Sequence, residues 1–172
     1  DQLIKIAARD AQKRGRPADA ARLHSLTGDD VSVLRVLVER LGQVVSTTND
    51  ADRAFWLETC NDFAERRIAA VVNELRASDE EELGYAFESL LNLAQFFDAV
   101  RADACSDALR SLDATRFVPS TDDSVGPCLD AFYRRDPTVQ RLLPEVLGAT
   151  MDVITKAYQS GRRARQDARF AS

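Results

Sequence analysis

Apolar residues recur every three or four positions along most of the chain, which is the period of an α-helix. The widest apolar segment lies between residues 83 and 100. Its main line is formed by Leu83, Phe87, Leu90, Leu91, Ala94 and Phe97, and the apolar residues off that line are Leu93, Phe96 and Val100. A helix on the surface of an isolated domain needs an apolar stripe only about 100° wide. We therefore expect neighbouring helices to cover this segment on two sides.

The segment from Asp30 to Val45 has a similarly wide apolar surface. One helical line contains Leu34, Leu37, Val38, Leu41 and Val45, and a second contains Val31, Val33, Val36 and Val44. Valine favours strands because its branched side chain restricts χ1. The length of the segment and its spacing of three and four residues nevertheless indicate a helix. This helix is also expected to lie between neighbours.

Helix breakers and capping residues divide the chain into eight predicted helices. Gly15 and Gly28 follow the first two helices, and either Asp29 or Asp30 caps the third. The fourth helix is predicted to run without a break from Asp52 to Arg76. Its main apolar line contains Leu57, Cys60, Ala64, Ile68, Val71 and Leu75.

Prolines affect the last two predicted helices. Gly126-Pro127 either delays the start of the seventh helix or bends it. The eighth helix is predicted to begin near Val139, to kink at Pro144 and to end at Gly161. The local geometry around Pro127 and Pro144 stays open at this point.

Eight helices with short connections and no predicted strand place the chain in the all-α class. No residue-by-residue repeat is present, so we expect an irregular α-solenoid of stacked antiparallel helical hairpins. Residues 1–160 are predicted to form a single solenoid segment, and residues 161–172 a frayed basic tail. The chain begins at Asp1 within a predicted helix and without a methionine, so we expect a fragment of a larger protein.

The charge distribution argues against nucleic acid as a partner. The formal net charge is −5, and residues 77–136 contain 13 acidic against 5 basic residues. A nucleic-acid interface would need clustered Lys and Arg on one face. The arginines at the C-terminal end could contact phosphate or anionic lipid, although a solvated terminus is the favoured interpretation. No apolar run approaches the roughly 20 residues of a membrane-spanning helix, so we expect no direct membrane insertion.

Residues with catalytic or metal-binding potential are few and scattered. His24 is the only histidine, and the three cysteines, Cys60, Cys105 and Cys128, lie far apart. No metal-ligand spacing and no glycine-rich phosphate loop is present. We therefore predict no metal and no cofactor. An enzyme that pairs a cysteine with His24 is a disfavoured hypothesis, because nothing local marks a cysteine as activated.

Three aromatic residues point away from the main apolar lines of their helices. Trp56, Tyr85 and Phe96 lie roughly 100–140° from those lines at 100° per residue. Packing against a neighbouring layer of helices is the favoured explanation. The alternative is that they anchor a partner, because aromatic residues concentrate at interface hot spots. We keep all three as candidate partner-binding residues.

Several segments resemble the nucleoporin-interacting-component family, the adaptor scaffold nucleoporins of the inner ring of the nuclear pore complex. The similarity runs in order from about Ala20 to Tyr158. It includes Gly28–Leu34, Leu41–Val45, Phe87–Asp98, Asp107–Leu109, Phe117–Pro119 and, most closely, Leu143–Ile154.

The resemblance implies an elongated, non-enzymatic α-solenoid at the nuclear envelope that acts as a protein-interaction platform in nucleocytoplasmic transport. Its implied partners are other nucleoporins, including a short segment of a membrane-associated nucleoporin that docks on the solenoid. Gly126-Pro127 and Pro144 depart from the family pattern. The runner-up hypothesis is a regulatory all-α domain that binds a small ligand or a partner helix between its helices.

Overall fold

The computed structural model describes residues 2–48, 51–115, 117–119 and 122–170, with the backbone alone at 122 and 161–170. This part of the chain forms ten α-helices and a short 3-10 turn at Asp122–Ser124, with no strand. The helices are α1 Gln2–Lys13, α2 Pro17–Leu26, α3 Asp30–Val44, α4 Ala51–Arg66, α5 Ile68–Ala77, α6 Glu81–Arg101, α7 Cys105–Thr115, α8 Val125–Arg134, α9 Pro137–Gln140 and α10 Leu143–Phe170. The predicted all-α class is confirmed.

The helices stack in a sequence of layers with α3 and α6 at the centre. Helix α1 packs on α2, α2 on α3, α3 on α6, α6 on α7, and α7 on α10. Helices α4 and α5 lie beside this central pair, since α4 contacts α3 and α5, and α5 contacts both α3 and α6. Most of these partners are close in the chain, as the predicted solenoid-like arrangement requires.

The two central helices are buried over most of their circumference. The buried residues of α3 are Val33, Leu34, Val36, Leu37, Val38, Leu41 and Val44. Those of α6 are Ala86, Phe87, Ser89, Leu90, Leu93, Ala94, Phe96 and Phe97. In both helices these positions span far more than a single stripe, so the prediction that neighbours cover them on two sides is confirmed. Most of these residues belong to one hydrophobic core that also takes in α4, α5, α7 and α10.

The predicted helix from Asp52 to Arg76 is wrong in one respect, because it breaks at Arg67. The backbone of Arg67 leaves the helical region (φ −127°, ψ −26°), and α5 begins at the next residue. The buried residues of α4 are Arg53, Trp56, Cys60 and Phe63, at spacings of three and four. The next position in that series is Arg67, whose Nη1 lies 2.5 Å from Asp30 Oδ1. The ion pair with α3 therefore takes the place of a further apolar contact at this position.

The prolines begin helices rather than bend them. Asp136 caps α9 by accepting a hydrogen bond from the Thr138 N–H, and Pro137 occupies the first turn. Pro144 lies at the second position of α10, where a proline has no helical hydrogen bond to lose. The single last helix that the sequence predicted is instead interrupted by a turn at residues 141–142, just before Pro144, so it is divided into α9 and α10 rather than kinked at the proline. Helix α8 holds Pro127 in its first turn.

The end of the last helix also differs from the sequence-based prediction. Helix α10 continues through Gly161 and ends at Phe170. A glycine inside a helix costs about 1 kcal/mol relative to alanine and does not by itself terminate it. The division into a solenoid segment and a frayed tail stays a prediction.

Candidate interaction surface

Two of the three candidate aromatic residues lie in the core of the chain. Trp56 is 2% exposed and Phe96 is 0% exposed. The indole N–H of Trp56 donates to Asp52 Oδ1 at 3.1 Å, and the Arg40 guanidinium lies 5.3 Å from the ring centroid. Phe96 packs edge-to-face with Phe97. The structure thus places both residues in helix–helix packing, the explanation that the sequence favoured, and neither faces solvent.

Tyr85 is the only one of the three that is exposed, at 59%. It lies in the second turn of α6. Glu82 and Glu88, three residues before and after it, are also exposed. Residues three apart on a helix are neighbours, with Cβ atoms roughly 5–6 Å apart. We call this exposed row of Glu82, Tyr85 and Glu88 the Tyr85 ridge.

An apolar groove runs along one side of the Tyr85 ridge, between α5 and α6. Its volume is about 340 Å³. The apolar lining comes from Ala64, Ile68, Val72, Leu75, Phe87 and Leu91. Gly84 leaves the floor of the groove open, because a Cβ there would approach Leu75 Cδ1 to 3.2 Å. We call this the α5–α6 groove.

A second groove lies on the opposite side of the Tyr85 ridge. It has a volume of about 480 Å³ and lies between α6 and the segment that joins α8 to α9. Its lining is more polar and includes Ser89, Asn92, Arg134, Arg135 and Asp136. The Arg135 side chain is already engaged, donating to Ser89 Oγ at 3.0 Å and to the Thr115 carbonyl at 2.7 Å. Tyr85 and Glu88 border both grooves.

The ridge carries two carboxylates that are not held in ion pairs. Glu82 and Glu88 form no ion pair with any residue in the described part of the chain. The neighbouring acids differ, because Glu80 pairs with Arg35 at 2.7 Å and Glu81 lies 3.8 Å from Arg76. The surface around Tyr85 therefore combines an apolar groove with excess negative charge.

His24 and the cysteines show no catalytic arrangement. His24 is buried at the end of α2, with Nδ1 3.7 Å from Asp29 Oδ2. Asp29 caps α3, as one of the two predicted alternatives required, by accepting a hydrogen bond from the Ser32 N–H at 3.1 Å. Burial raises the pKa of the Cys60 thiol to about 12, the opposite of the shift that activates a cysteine. Among the residues that the structure describes, no group of His, Cys, Asp and Glu could hold a metal ion.

Sequence reasoning did not identify the exposed apolar rows on α8 and α10. Val125, Leu129 and Tyr133 form the row on α8, and Leu147, Met151, Ile154 and Tyr158 form the row on α10. Helix α10 packs through Val146, Thr150 and Val153 instead. Both sets follow helical spacing, so the sequence carried the signal without indicating which set faces the core.

A stack of helices with surface grooves, and with no catalytic cluster in its described residues, has the architecture of an α-helical interaction scaffold. No helix in the described ranges is long and apolar enough to span a bilayer. Residues 1–170 match the Nup93/Nic96 family, and the chain belongs to that family.

Curated relatives agree with this assignment. The chain is 29% identical over 159 residues to nuclear pore complex protein Nup93-1 of Drosophila melanogaster. It is 25% identical over 160 residues to Nup93 of Danio rerio and 28% identical over 159 residues to Nup93 of Xenopus tropicalis. Each alignment covers 91% of this chain but only 19% of the relative. The chain therefore spans about a fifth of the length of these proteins.

Proposed function

We propose that this chain is a segment of a scaffold nucleoporin and acts as a protein-interaction platform in the nuclear pore complex. The observation that carries the proposal is the family match over residues 1–170. The relatives named above are nuclear pore complex proteins. The stacked fold supports the same role, because repeated helical layers provide extended surfaces for partner proteins.

The proposed role is structural and involves no catalysis. Membership of a nucleoporin family implies a structural part in an assembly. The chemistry of the described residues agrees, since the Cys60 thiol is held protonated by burial and His24 is enclosed at a helix joint. No observation favours the alternative of a regulatory domain that binds a small ligand.

We further propose that other nucleoporins dock on the Tyr85 ridge and the adjoining α5–α6 groove. The partner is a short segment of a membrane-associated nucleoporin. Tyr85 is the anchor, because it is the exposed member of the three aromatic candidates and borders two grooves. Trp56 and Phe96 are buried and make no direct contact with a partner.

Cellular localisation tests the proposed assembly. The protein that carries this chain, fused to a fluorescent protein, is expected to form a punctate rim at the nuclear envelope that coincides with a pore marker. Affinity purification of the same fusion is expected to recover other nucleoporins. A diffuse distribution together with a purification that contains no nucleoporin would refute the proposal.

Substitution of exposed tyrosines tests the docking site separately. Tyr85→Ala is expected to reduce recovery of one nucleoporin partner while the fusion remains at the nuclear rim. Tyr133→Ala is the matched control, because Tyr133 is also highly exposed but lies on α8 and borders neither groove. Equal partner recovery from both variants would show that Tyr85 is not the anchor.

A further inference from the structure

The acidic character of the Tyr85 ridge defines the chemistry of its partner. We propose that the ridge and the α5–α6 groove bind a segment with an apolar side chain next to a lysine or arginine. The apolar side chain occupies the groove, and the cation lies over Tyr85 between Glu82 and Glu88. This inference rests on the proposed docking role and adds the chemical class of the bound segment.

The groove supplies an apolar contact surface that this chain leaves uncovered. Ile68 and Val72 form its α5 wall, and Leu91 lies at its far end on α6. Val72 and Leu91 are only partly buried, so their exposed surface remains available to another molecule. Removing such surface from water stabilises a complex by roughly 25 cal/mol per Å². A single Leu, Ile or Phe side chain fits a volume of about 340 Å³.

The charges around the groove select a basic neighbour for that apolar side chain. On the rim of the groove, Arg76 and Glu81 face each other at 3.8 Å and offset one another. Among the described residues Glu88 forms no ion pair there, and neither does Glu82 on the other side of Tyr85. A cation above the exposed Tyr85 ring would gain both the attraction of the ring face and that of two carboxylates. An acidic segment would meet like charges at the same positions.

The second groove contains the positive charges that could favour an acidic partner instead. Arg134 and Arg135 both line it, and Arg135 keeps its positive charge while it donates hydrogen bonds to the neutral Ser89 hydroxyl and Thr115 carbonyl. An acidic partner would therefore occupy the second groove and depend on Arg134 and Arg135, whereas a basic-apolar partner depends on Glu82 and Glu88. Loss of Arg134 would weaken an acidic partner, whereas loss of the Glu82 and Glu88 charges would weaken a basic-apolar partner.

Two short fluorescein-labelled peptides serve as probes for fluorescence anisotropy on the intact chain. Both carry the same Leu and Phe anchors, which are flanked by Lys in one peptide and by Glu in the other. The Lys peptide is expected to bind, and its affinity is expected to fall with rising ionic strength, because exposed charges are screened by salt. Equal or tighter binding of the Glu peptide, or no binding of the Lys peptide, would overturn the inference.

Four variants locate the binding. Tyr85→Ala and the double variant Glu82→Gln, Glu88→Gln are each expected to weaken the Lys peptide by about tenfold, which corresponds to about 1.4 kcal/mol. Glu58→Gln removes an exposed acid of α4 outside both grooves and is expected to change nothing. Arg134→Ala is expected to leave binding unchanged or slightly stronger. A loss caused by Arg134→Ala, or unchanged binding by the Glu82, Glu88 variant, would contradict the inference.

The outcomes separate this inference from the proposed function. All five substituted positions are exposed, so thermal unfolding of the four variants is expected to match that of the unmodified chain. If the Lys peptide fails to bind while the protein still localises to the nuclear rim with its partners, the partner chemistry is wrong and the scaffold role stands.

Discussion

At the scale of single residues, a buried arginine joins three helices at the centre of the stack. Arg53 is 2% exposed, and its Nη2 lies 2.9 Å from Asp98 Oδ1. The guanidinium also donates to the Val45 and Ala94 carbonyls, each at 3.4 Å. Val45 is the C-cap of α3, where carbonyls lack helical partners. Arg53 therefore satisfies a helix end that is enclosed in the core.

Removal of Arg53 is expected to destabilise the chain strongly. Arg53→Ala leaves two buried carbonyls without this donor and opens a cavity, so we expect a loss of about 3 kcal/mol in the free energy of unfolding. Asp98→Asn is the control, because it removes the ion pair with a half-exposed carboxylate and keeps Arg53 as donor to both carbonyls, so we expect a smaller loss. Urea denaturation measures the free energy of unfolding of both variants. An equal loss in the two variants would assign the effect to the ion pair rather than to the carbonyls.

The cap of α3 gives stability that depends on pH. Burial alone raises the pKa of Asp29, but the hydrogen bonds from Ser32 and the charges of His24 and Lys5 outweigh it, so the pKa is lowered from 3.8. A lowered folded-state pKa stabilises the fold above the unfolded value near 3.8. That contribution is lost as the pH falls below 3.8 and through the folded pKa.

Asp29→Asn tests this linkage while retaining a good capping residue. We expect the variant to be less stable than the unmodified chain at pH 7, and the difference to shrink as the pH falls below about 3.8. Urea denaturation at several pH values measures the difference. A gap that stays constant with pH would show that the carboxylate charge contributes nothing at this cap.

At the scale of helices, the close approach of α3 and α9 depends on one glycine. A Cβ at Gly42 would overlap with Thr138 Cγ2, whereas Thr138 Cβ would stay at an ordinary contact distance of 3.5 Å. The sequence showed only a glycine within an apolar helix. Its role depends on α9, a four-residue helix whose position no local pattern could predict.

Gly42→Ala is expected to destabilise the chain by about 1–3 kcal/mol through overpacking, although alanine is the better helix former. Thr138→Ser removes the overlapping methyl group and is expected to restore most of the loss. A double-mutant cycle of thermal or urea unfolding measures the coupling between the two sites. Additive effects would show that the two side chains do not meet.

The break between α4 and α5 explains why the sequence placed Trp56 away from the predicted buried face of its helix. An unbroken helix from Asp52 to Arg76 would bury the line through Leu57 and Ala64, and would leave Trp56 off that line. Because the chain turns at Arg67, α4 and α5 bury different lines, and Trp56 faces the core. Arg67, at the break, pairs with Asp30 of α3, a long-range contact that helical periodicity does not reveal.

At the scale of the whole molecule, wide apolar surfaces on two helices were sufficient to predict a layered fold. The grooves could not be predicted in the same way, since they form where α5, α8 and α9 meet α6. Tyr85, Trp56 and Phe96 all lay off their apolar lines, and only the packing of neighbouring layers distinguishes the exposed residue from the buried two.

The layered order predicts an uneven distribution of local stability, which hydrogen exchange can measure. Amides of α3 and α6 are expected to exchange slowest, because both helices are enclosed by neighbours. Helix α1 packs mainly on α2, and α8 has no fully buried residue among its members. Elements with few buried contacts open locally at low free energy. We therefore expect α1 and α8 to exchange by local opening well before α3 and α6, which require global unfolding.

The Arg53→Ala variant supplies the control, since it should accelerate exchange in α3 and α6 while α1 changes little. Uniform protection across all helices would mean that the chain unfolds as one unit, and that its layers do not act as separable parts of a scaffold.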